Sequence, residues 1–532
     1  LVRQKLRLEQ VPGFISQGAR RGVNGSLYPY QIGLEHGSLE GVEYFLAKGL
    51  DQSTSRWLDD RQIYDGELTY QKMSLFARAM RDYVDFVGKN SGKSPYVIHA
   101  NDWNVIPAAV AAKQAFKERM TSVPLVFTVH LLGYKSFDWH FISQDWCGIR
   151  DETQNLGLEG MRRFATCREV WDDLSGGKIE RFGGFEADFV ATVSESYLST
   201  DVLPFLGQAL SNKAGFIYNA CDWDEERIAR RALKEHGQAL EDFGRNKQPK
   251  RSDLRKYLLT KAIGLAGTPD IPEPEVRDLV NRLSESAGSA KPGAAQPFQE
   301  DGGLVLFTGR LDRQKGVDVL LRAVPEVLEV IPSTKFLLQM IPLPQRDMID
   351  LATLKAAEYK ENVRIFLGRV PAIYQLSYIS ADVYAMPSRW EPFGLTALEA
   401  MATGNPVVGT RTGGITETVL DVLDHPQDGT GTLVNADDHR ALADGLVSFL
   451  TVMKIEEESR KGQMAEKDRL LDLIPFDGLR NLVAGDPYRG SIIRDSCRKR
   501  VKEHFGLENA ARMAVRAYER ASSISQGRSA PA

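Results

Sequence analysis

The chain holds 532 residues, which at about 150 per domain is room for roughly three domains or two large ones. Hydrophobic residues make up 42 % and charged residues 26 %, the make-up of a soluble globular protein, so a globally disordered chain is excluded. Sixty-seven basic residues against 71 acidic ones leave a formal charge of −4, so no single-sign field points to nucleic acid or an anionic membrane as partner. The longest stretch free of Asp, Glu, Lys and Arg, residues 120–134, is too short to span a bilayer and is interrupted by His130 and Gly133. Arg3, Lys5, Arg7 and Glu9 break any apolar leader, and the expectation is a cytoplasmic protein. Cys147, Cys167, Cys221 and Cys497 lie far apart without paired spacing, which points to neither a zinc site nor a disulfide framework. The chain opens at Leu1 rather than Met, as a fragment or a processed chain would.

In chain order, the first half offers short apolar, β-rich runs at 96–99, 125–130, 189–193 and 216–218. The second half offers them at 304–308, 336–340, 363–367, 383–386 and 406–409. None alternates polar with apolar, so each strand is expected to be covered on both faces, as in a parallel sheet. Helical patterns lie between them. Val317, Leu320, Leu321, Val324 and Leu328 share one face, with Pro325 expected to kink or break that helix. Repeated strand–helix alternation predicts an α/β protein of doubly wound sheets with ligand sites at the carboxyl ends of strands. Residues 224–303 read as a helical or flexible linker or insertion, with a Ser/Ala/Gly/Pro-rich part at 284–299. A polar stretch at 456–489 reads as an insertion, and 495–521 as a helix. The expected organisation is therefore an N-terminal domain over 1–223, the linker over 224–303, a second domain over 304–494 and a terminal helix within 495–532.

The most informative stretch runs from Met386 to Met401. A strand ends at Pro387-Ser388, a loop carries Glu391, and Gly394 precedes a run of strong helix formers. The first-turn N–H groups at Leu395 and Thr396 would be unpaired donors, an anion site at a helix N-terminus, and Gly394 would let a phosphate approach the backbone. Glu391 and Glu399, eight positions apart, can reach different ends of one ligand; the plainer reading of such a pair is a cap plus a solvated face. Upstream, Arg310 and Lys315 stand after another strand end, where two cations suit a diphosphate and the plain alternative is a solvated basic loop. Thr412-Gly413-Gly414 follows a third strand end.

Taken in order, Gly309-Arg310-Leu311 with Lys315-Gly316, Glu391-Pro392-Phe393-Gly394-Leu395, Glu399-Ala400-Met401 and Thr412-Gly413-Gly414 resemble the C-terminal donor domain of retaining GT-B glycosyltransferases. In the first half, His99-Ala100-Asn101-Asp102-Trp103-Asn104 and Thr128-Val129-His130-Leu131-Leu132-Gly133-Tyr134 resemble the glycogen and starch synthases. The runs Thr192-Val193-Ser194-Glu195-Ser196-Tyr197 and Tyr218-Asn219-Ala220-Cys221-Asp222 continue that likeness. Glu399 is closer to the archaeal-type members. Asn101 and Asn104 stand where glycogen synthases often carry His, Ala220 replaces the usual Gly, and the family's Lys-x-Gly-Gly-Leu loop is not found. The expectation is a first domain that lacks its first strand and that loop, which puts the full activity of this chain in question.

The resemblance implies two Rossmann-like domains facing a cleft that closes on substrate, and retaining transfer of glucose from a nucleotide diphosphate glucose to an α-1,4-glucan end. It implies Glu391, His130 and Asp102 as catalytic candidates, with Asp102 ordering a loop or touching acceptor rather than acting as a base. Donor binding falls to Arg310, Lys315, Gly394, Leu395, Thr396, Glu399, Gly413 and Gly414. No cofactor or metal is expected. Trp103, Trp139 and Trp146 offer stacking surfaces for glucan, or plain core packing. ADP- and UDP-glucose both stay open, as does the oligomeric state. Two other readings compete: a GT-B enzyme with another acceptor (sucrose- or trehalose-forming, or lipid-linked), and an inactive glucan-binding relative.

Overall fold

The computed structural model describes residues 5–59, 68–90, 96–158, 164–242, 249–286, 295–463 and 465–529. The chain divides into two units, one of residues 1–218 with 511–532 and the other of residues 219–510.

The first unit carries two sheets that differ in kind. Residues near the N-terminus form an antiparallel sheet of β1 (Glu9–Gln10), β2 (Ser16–Arg21), β3 (Leu27–Leu39) and β4 (Val42–Gly49), with β3 at its centre. This sheet was not foreseen. Its signal is Asn24-Gly25, a hairpin dipeptide between β2 and β3, with Gly25 at φ +81°. One face buries Tyr30 and Ile32 against Leu75 and Ala79 of the helix Thr69–Asn90. The second sheet is parallel, as predicted, with β5 (Ile98–Asn101), β6 (Leu125–Val129), β9 (Phe189–Thr192) and β10 (Ala214–Phe216) in the order β10-β9-β6-β5. A small antiparallel pair, β7 (Thr153–Asn155) and β8 (Phe164–Thr166), sits in the connection between β6 and β9. β5 and β10 lie two residues from their predicted positions because pairing, not local hydrophobicity, fixes their ends: Ile98 pairs with Leu125 and Phe216 with Thr192.

The second unit is a six-stranded parallel sheet of β11 (Leu304–Leu311), β12 (Lys335–Pro342), β13 (Val363–Leu367), β14 (Val383–Met386), β15 (Val407–Thr410) and β16 (Gly431–Val434). Its order is β13-β12-β11-β14-β15-β16, so the chain reverses direction across the sheet between β11 and β14. Such a reversal opens a crevice at the carboxyl ends of the strands. Of the two outcomes expected at Pro325, a kink or a break, the break does not occur: the helix runs from Val317 to Val330. Pro325 lies on the exposed face, where water can satisfy the Leu321 carbonyl that loses its partner.

The expected linker is instead built into the second unit. Arg251, half-buried, donates to the carbonyl of Ala381 (2.9 Å) and to Asn405 Oδ1 (2.8 Å), and the buried Arg255 grips both oxygens of Asp382 at 3.1 and 3.0 Å. Asp382 also accepts from the Leu304 amide at the start of β11 (2.9 Å). Removing Arg255 would take its bidentate partner from the buried Asp382 carboxylate, so this segment is anchored to the sheet. Of the Ser/Ala/Gly/Pro-rich part, residues 287–294 lie outside the described residues. The polar stretch 456–489 likewise contributes core, with Ile474, Leu479 and Val483 fully buried. The predicted terminal helix is two helices, Arg489–His504 and Leu507–Ser529. They part at Phe505, which is buried and meets Phe393 edge-on at 5.7 Å. Residues from 511 onward count with the first unit, where Ala517 and Ala521 pack on Val126, Phe189 and Ala191. No described helix is long and apolar enough to cross a membrane.

Candidate active site

Three loops leave the carboxyl ends of neighbouring strands β11, β14 and β15 and close on one another. The β11 loop turns at Gly316 (φ +64°), where a Cβ would lie 1.9 Å from the Pro387 carbonyl oxygen of the β14 loop. Arg389 N donates to the Gln314 carbonyl (2.8 Å), and Gln314 Nε2 donates to the Trp390 carbonyl (3.1 Å). From the β15 side, Thr410 Oγ1 donates to the Ser388 carbonyl and Gly414 N to the Glu391 carbonyl (3.0 Å). Gly413 (φ +44°) would place a Cβ 2.1 Å from that same carbonyl oxygen. Glycine is required at both turns, because backbone occupies the space a side chain needs.

These contacts present Glu391. It is 7 % exposed, and its Oε2 meets Lys315 Nζ at 2.5 Å, with Ser388 Oγ at 3.5 Å. Gly394, left-handed at φ +99°, caps the helix Leu395–Ala402, and its Cβ position is 3.7 Å from Glu391 Cγ. The first bonds of that helix run from Ala397 N (3.0 Å) and Leu398 N (3.3 Å) to the Gly394 carbonyl. The N–H groups of Leu395 and Thr396 therefore precede the helical ladder and carry the positive end of its dipole. A cation, a carboxylate and an amide-bearing helix start are thus gathered at one end of the sheet.

Not every expected donor residue joins them in the expected way. Arg310 is half exposed and is held by Gln314 Oε1 (3.0 Å) and Asp312 Oδ2 (3.3 Å), so it touches the Glu391 loop only through Gln314. The Gly414 N–H, expected to serve a sugar, instead donates to the Glu391 carbonyl and braces that loop. The Thr396 hydroxyl bonds to Tyr384. Glu399 sits apart from the Lys315–Glu391 pair: its Oε2 accepts from Tyr374 (3.2 Å) and Tyr378 (3.1 Å), and burial pushes its carboxyl above the usual range. Sequence reasoning missed this tyrosine clamp, although Tyr374 and Tyr378 are one helical turn apart on Pro371–Ser380.

In the first unit, His130 follows β6 and Asp102 follows β5. His130 Nε2 meets Asn101 Oδ1 at 2.9 Å, while Asp102 Oδ1 accepts from the backbone amide of His130 (2.8 Å). Asp102 is thereby engaged in ordering the loop. His99 bonds Thr128 Oγ1 (2.7 Å) and Tyr518 (2.9 Å); burial, with His130 nearby, lowers its pKa to about 4. Trp103 and Trp146 are buried, which makes them core rather than stacking platforms. Among the described residues, no group of three or more His, Cys, Asp or Glu side chains is arranged to hold a metal ion.

Residues 4–212 match the family described as "Starch synthase catalytic domain", and residues 302–451 the family "Glycosyl transferases group 1". A glycogen synthase of Geotalea daltonii is 25 % identical over 439 residues, covering 79 % of this chain and 74 % of that protein. Glycogen synthase 2 of Geobacter sulfurreducens is 26 % identical over 373 residues, 68 % of this chain and 64 % of that one. Among solved structures, the catalytic domain of starch synthase IV from Arabidopsis thaliana, bound to ADP and acarbose, superposes with a TM-score of 0.59 at 18 % identity. That match covers 97 % of this chain and 88 % of the other. Fold and matches together define a glycosyltransferase of the GT-B fold. Within that class the chain is a glycogen/starch synthase-like glucosyltransferase.

Proposed function

We propose that the chain moves glucose, with retention, from a nucleoside diphosphate glucose to the non-reducing end of an α-1,4-glucan. The observation that carries this reading is the Lys315–Glu391 pair beside the Gly394-capped helix. The acceptor hydroxyl oxygen bonds to the anomeric carbon as the bond from that carbon to the diphosphate oxygen breaks. The departing phosphate takes the hydroxyl proton. Negative charge grows on the diphosphate, and the donors best suited to meet it are Lys315 and the amides of Leu395 and Thr396, with Arg310 as an outer cation. The cationic anomeric centre needs a carboxylate, which is the role of Glu391. Lys315 is paired with that carboxylate. A diphosphate drawing Lys315 to itself would free Glu391 for the sugar, so donor binding and activation of Glu391 are one event. Glu399, with Oε2 taken by two tyrosine hydroxyls, has its other oxygen for the donor ribose. His130 and Asn101 are offered to a sugar hydroxyl. This arrangement supplies its charge neutralisation from the protein, and the reaction is expected to run in EDTA.

The test is incubation of the chain with radiolabelled ADP-glucose or UDP-glucose and glycogen, with and without EDTA, followed by counting of precipitable label. Label above background with one donor, abolished by Glu391→Gln, is the expected result. Background counts with both donors would overturn the reading.

A further inference from the structure

The segment after β6 leaves the sheet without joining any other element, yet its backbone amides are all engaged. His130 N and Leu131 N donate to Asp102 Oδ1 at 2.8 and 3.3 Å. Leu132 N donates to the hydroxyl of Tyr197 at 2.9 Å. Gly133 N and Tyr134 N both donate to Glu180 Oε1, at 2.7 and 2.9 Å. Five consecutive N–H groups are therefore held by three side chains, each from a different part of the first unit. Backbone that misses secondary structure needs acceptors, and here side chains provide them one after another.

Two features show that this is a fixed conformation. Tyr134 and Asp102 both have positive φ, +53° and +64°, which L-residues avoid unless their surroundings impose it. Gly133 passes so close to Trp103 that a Cβ would lie 2.6 Å from the indole Nε1. Glu180 adds a third. It is fully buried in the helix Ile179–Glu186, no ion pair to it occurs among the described residues, and its Oε2 has no hydrogen-bond partner. A buried carboxylate without a cation is costly, and burial pushes the pKa of Glu180 up. What that carboxylate meets instead is main-chain N–H, with Gly133 and Tyr134 nearest. Tyr197 is buried too, at the start of the segment after β9.

We infer that Glu180 and Tyr197 are positioning residues for His130: they lock the backbone of 130–134 so that the imidazole is presented in one orientation. The inference rests on the proposed function in giving His130 a place in glucosyl transfer. Neither residue touches the reacting atoms, so both act through the loop.

The full chain is compared with Glu180→Ala, Glu180→Gln and Tyr197→Phe by amide hydrogen exchange and by kinetics per folded molecule. In Glu180→Ala and Tyr197→Phe, the amides of 130–134 should exchange at least about tenfold faster while those of β6 keep their protection. In the same variants kcat should fall about tenfold or more with donor KM within about threefold, as loss of a held geometry predicts. Glu180→Gln, whose amide oxygen can accept the same two bonds, should keep most of kcat. In a His130→Ala background the Glu180→Ala effect on kcat should vanish, because residues acting through one group are not additive. A merely structural role would lower stability and leave rate per folded molecule, and this non-additivity, untouched. Exchange and kcat in Glu180→Ala within about twofold of wild type, or a full loss persisting without His130, would overturn the inference. If Glu180→Ala does not fold, Tyr197→Phe carries the same comparison after loss of one oxygen. A wild-type chain inactive with every donor would instead count against the proposed function, and the exchange measurement would still decide whether the loop is held.

Discussion

Two irregular loops carry the candidate catalytic groups, and they are held by opposite means. The 387–394 loop of the second unit is braced by backbone: glycines at 316, 413 and 414 let neighbouring loops approach to contact distance, and main-chain bonds such as Gly414 N to the Glu391 carbonyl tie them together. The 130–134 loop of the first unit is braced by side chains, Asp102, Tyr197 and Glu180, each accepting from main-chain N–H. Backbone bracing needs small residues where the strand-end loops meet, even when, like Gly316, they lie far from Glu391 in sequence. Side-chain bracing needs acceptors brought in by the fold. The first kind fixes a loop as a rigid ridge; the second leaves it dependent on groups that can titrate or be truncated.

The comparison can be broken or sharpened by experiment. The largest effect should come from Glu391→Gln, which removes the carboxylate we propose for the anomeric centre and is expected to cut glucosyl transfer by about 10³-fold or more in the precipitation assay. Next is a pH effect on the side-chain-braced half. His99 has a folded pKa of about 4 against an ordinary 6.5, so the native state favours its neutral form. Its contribution is intact above pH 6.5 and is lost as pH falls from there towards 4, by about 3 kcal/mol. Denaturant titrations at a series of pH values should show a flatter acid slope for His99→Gln than for wild type.

On the backbone-braced half, Gly413→Ala puts a methyl group into the Glu391 carbonyl at positive φ and should cost about 2 kcal/mol of stability together with most of the transfer activity. Gly25→Ala, also at positive φ but in open space, should cost about 1 kcal/mol and leave transfer unchanged. The smallest expected effect is on binding: calorimetry should find nucleoside diphosphate about threefold to tenfold tighter in Glu391→Gln, since Lys315 is no longer shared. Weaker binding in that variant would show that the ion pair does not compete with the ligand.

The contrast between the loops also explains what could be read ahead of the structure. Glu391, Gly394 and the Gly413-Gly414 turn stand out because glycine and a carboxylate at strand ends are local signals, and their partners lie within the same few motifs. The parallel strand predicted at 304–308 was equally legible, since burial on both faces leaves an apolar run from Leu304 to Phe307. Glu180 and Tyr197 gave no such sign. Glu180 belongs to no motif, Tyr197 only closes the run 192–197 without a role of its own, and the amides they accept from lie 46 and 65 residues away in sequence. The early antiparallel sheet is faint in the sequence for a related reason. Its strands are half exposed, and only the Asn24-Gly25 turn announces them. The stretch 224–303 reads as linker because it is charged and polar, yet Arg251 and Arg255 within it are polar groups that find buried partners.

By itself, then, the sequence determined the alternation of strands and helices, the places where backbone must turn through glycine, and the kind of ligand those turns suit, because each depends on neighbours a few bonds away. Only the tertiary structure decided that Lys315 rests on Glu391, that the Gly414 amide is already spent on the Glu391 carbonyl, and that a buried glutamate and a tyrosine hold the loop of His130. Those outcomes depend on which distant atoms share a low-dielectric interior, where every polar group must find a partner and where the fold, not the local chain, supplies it.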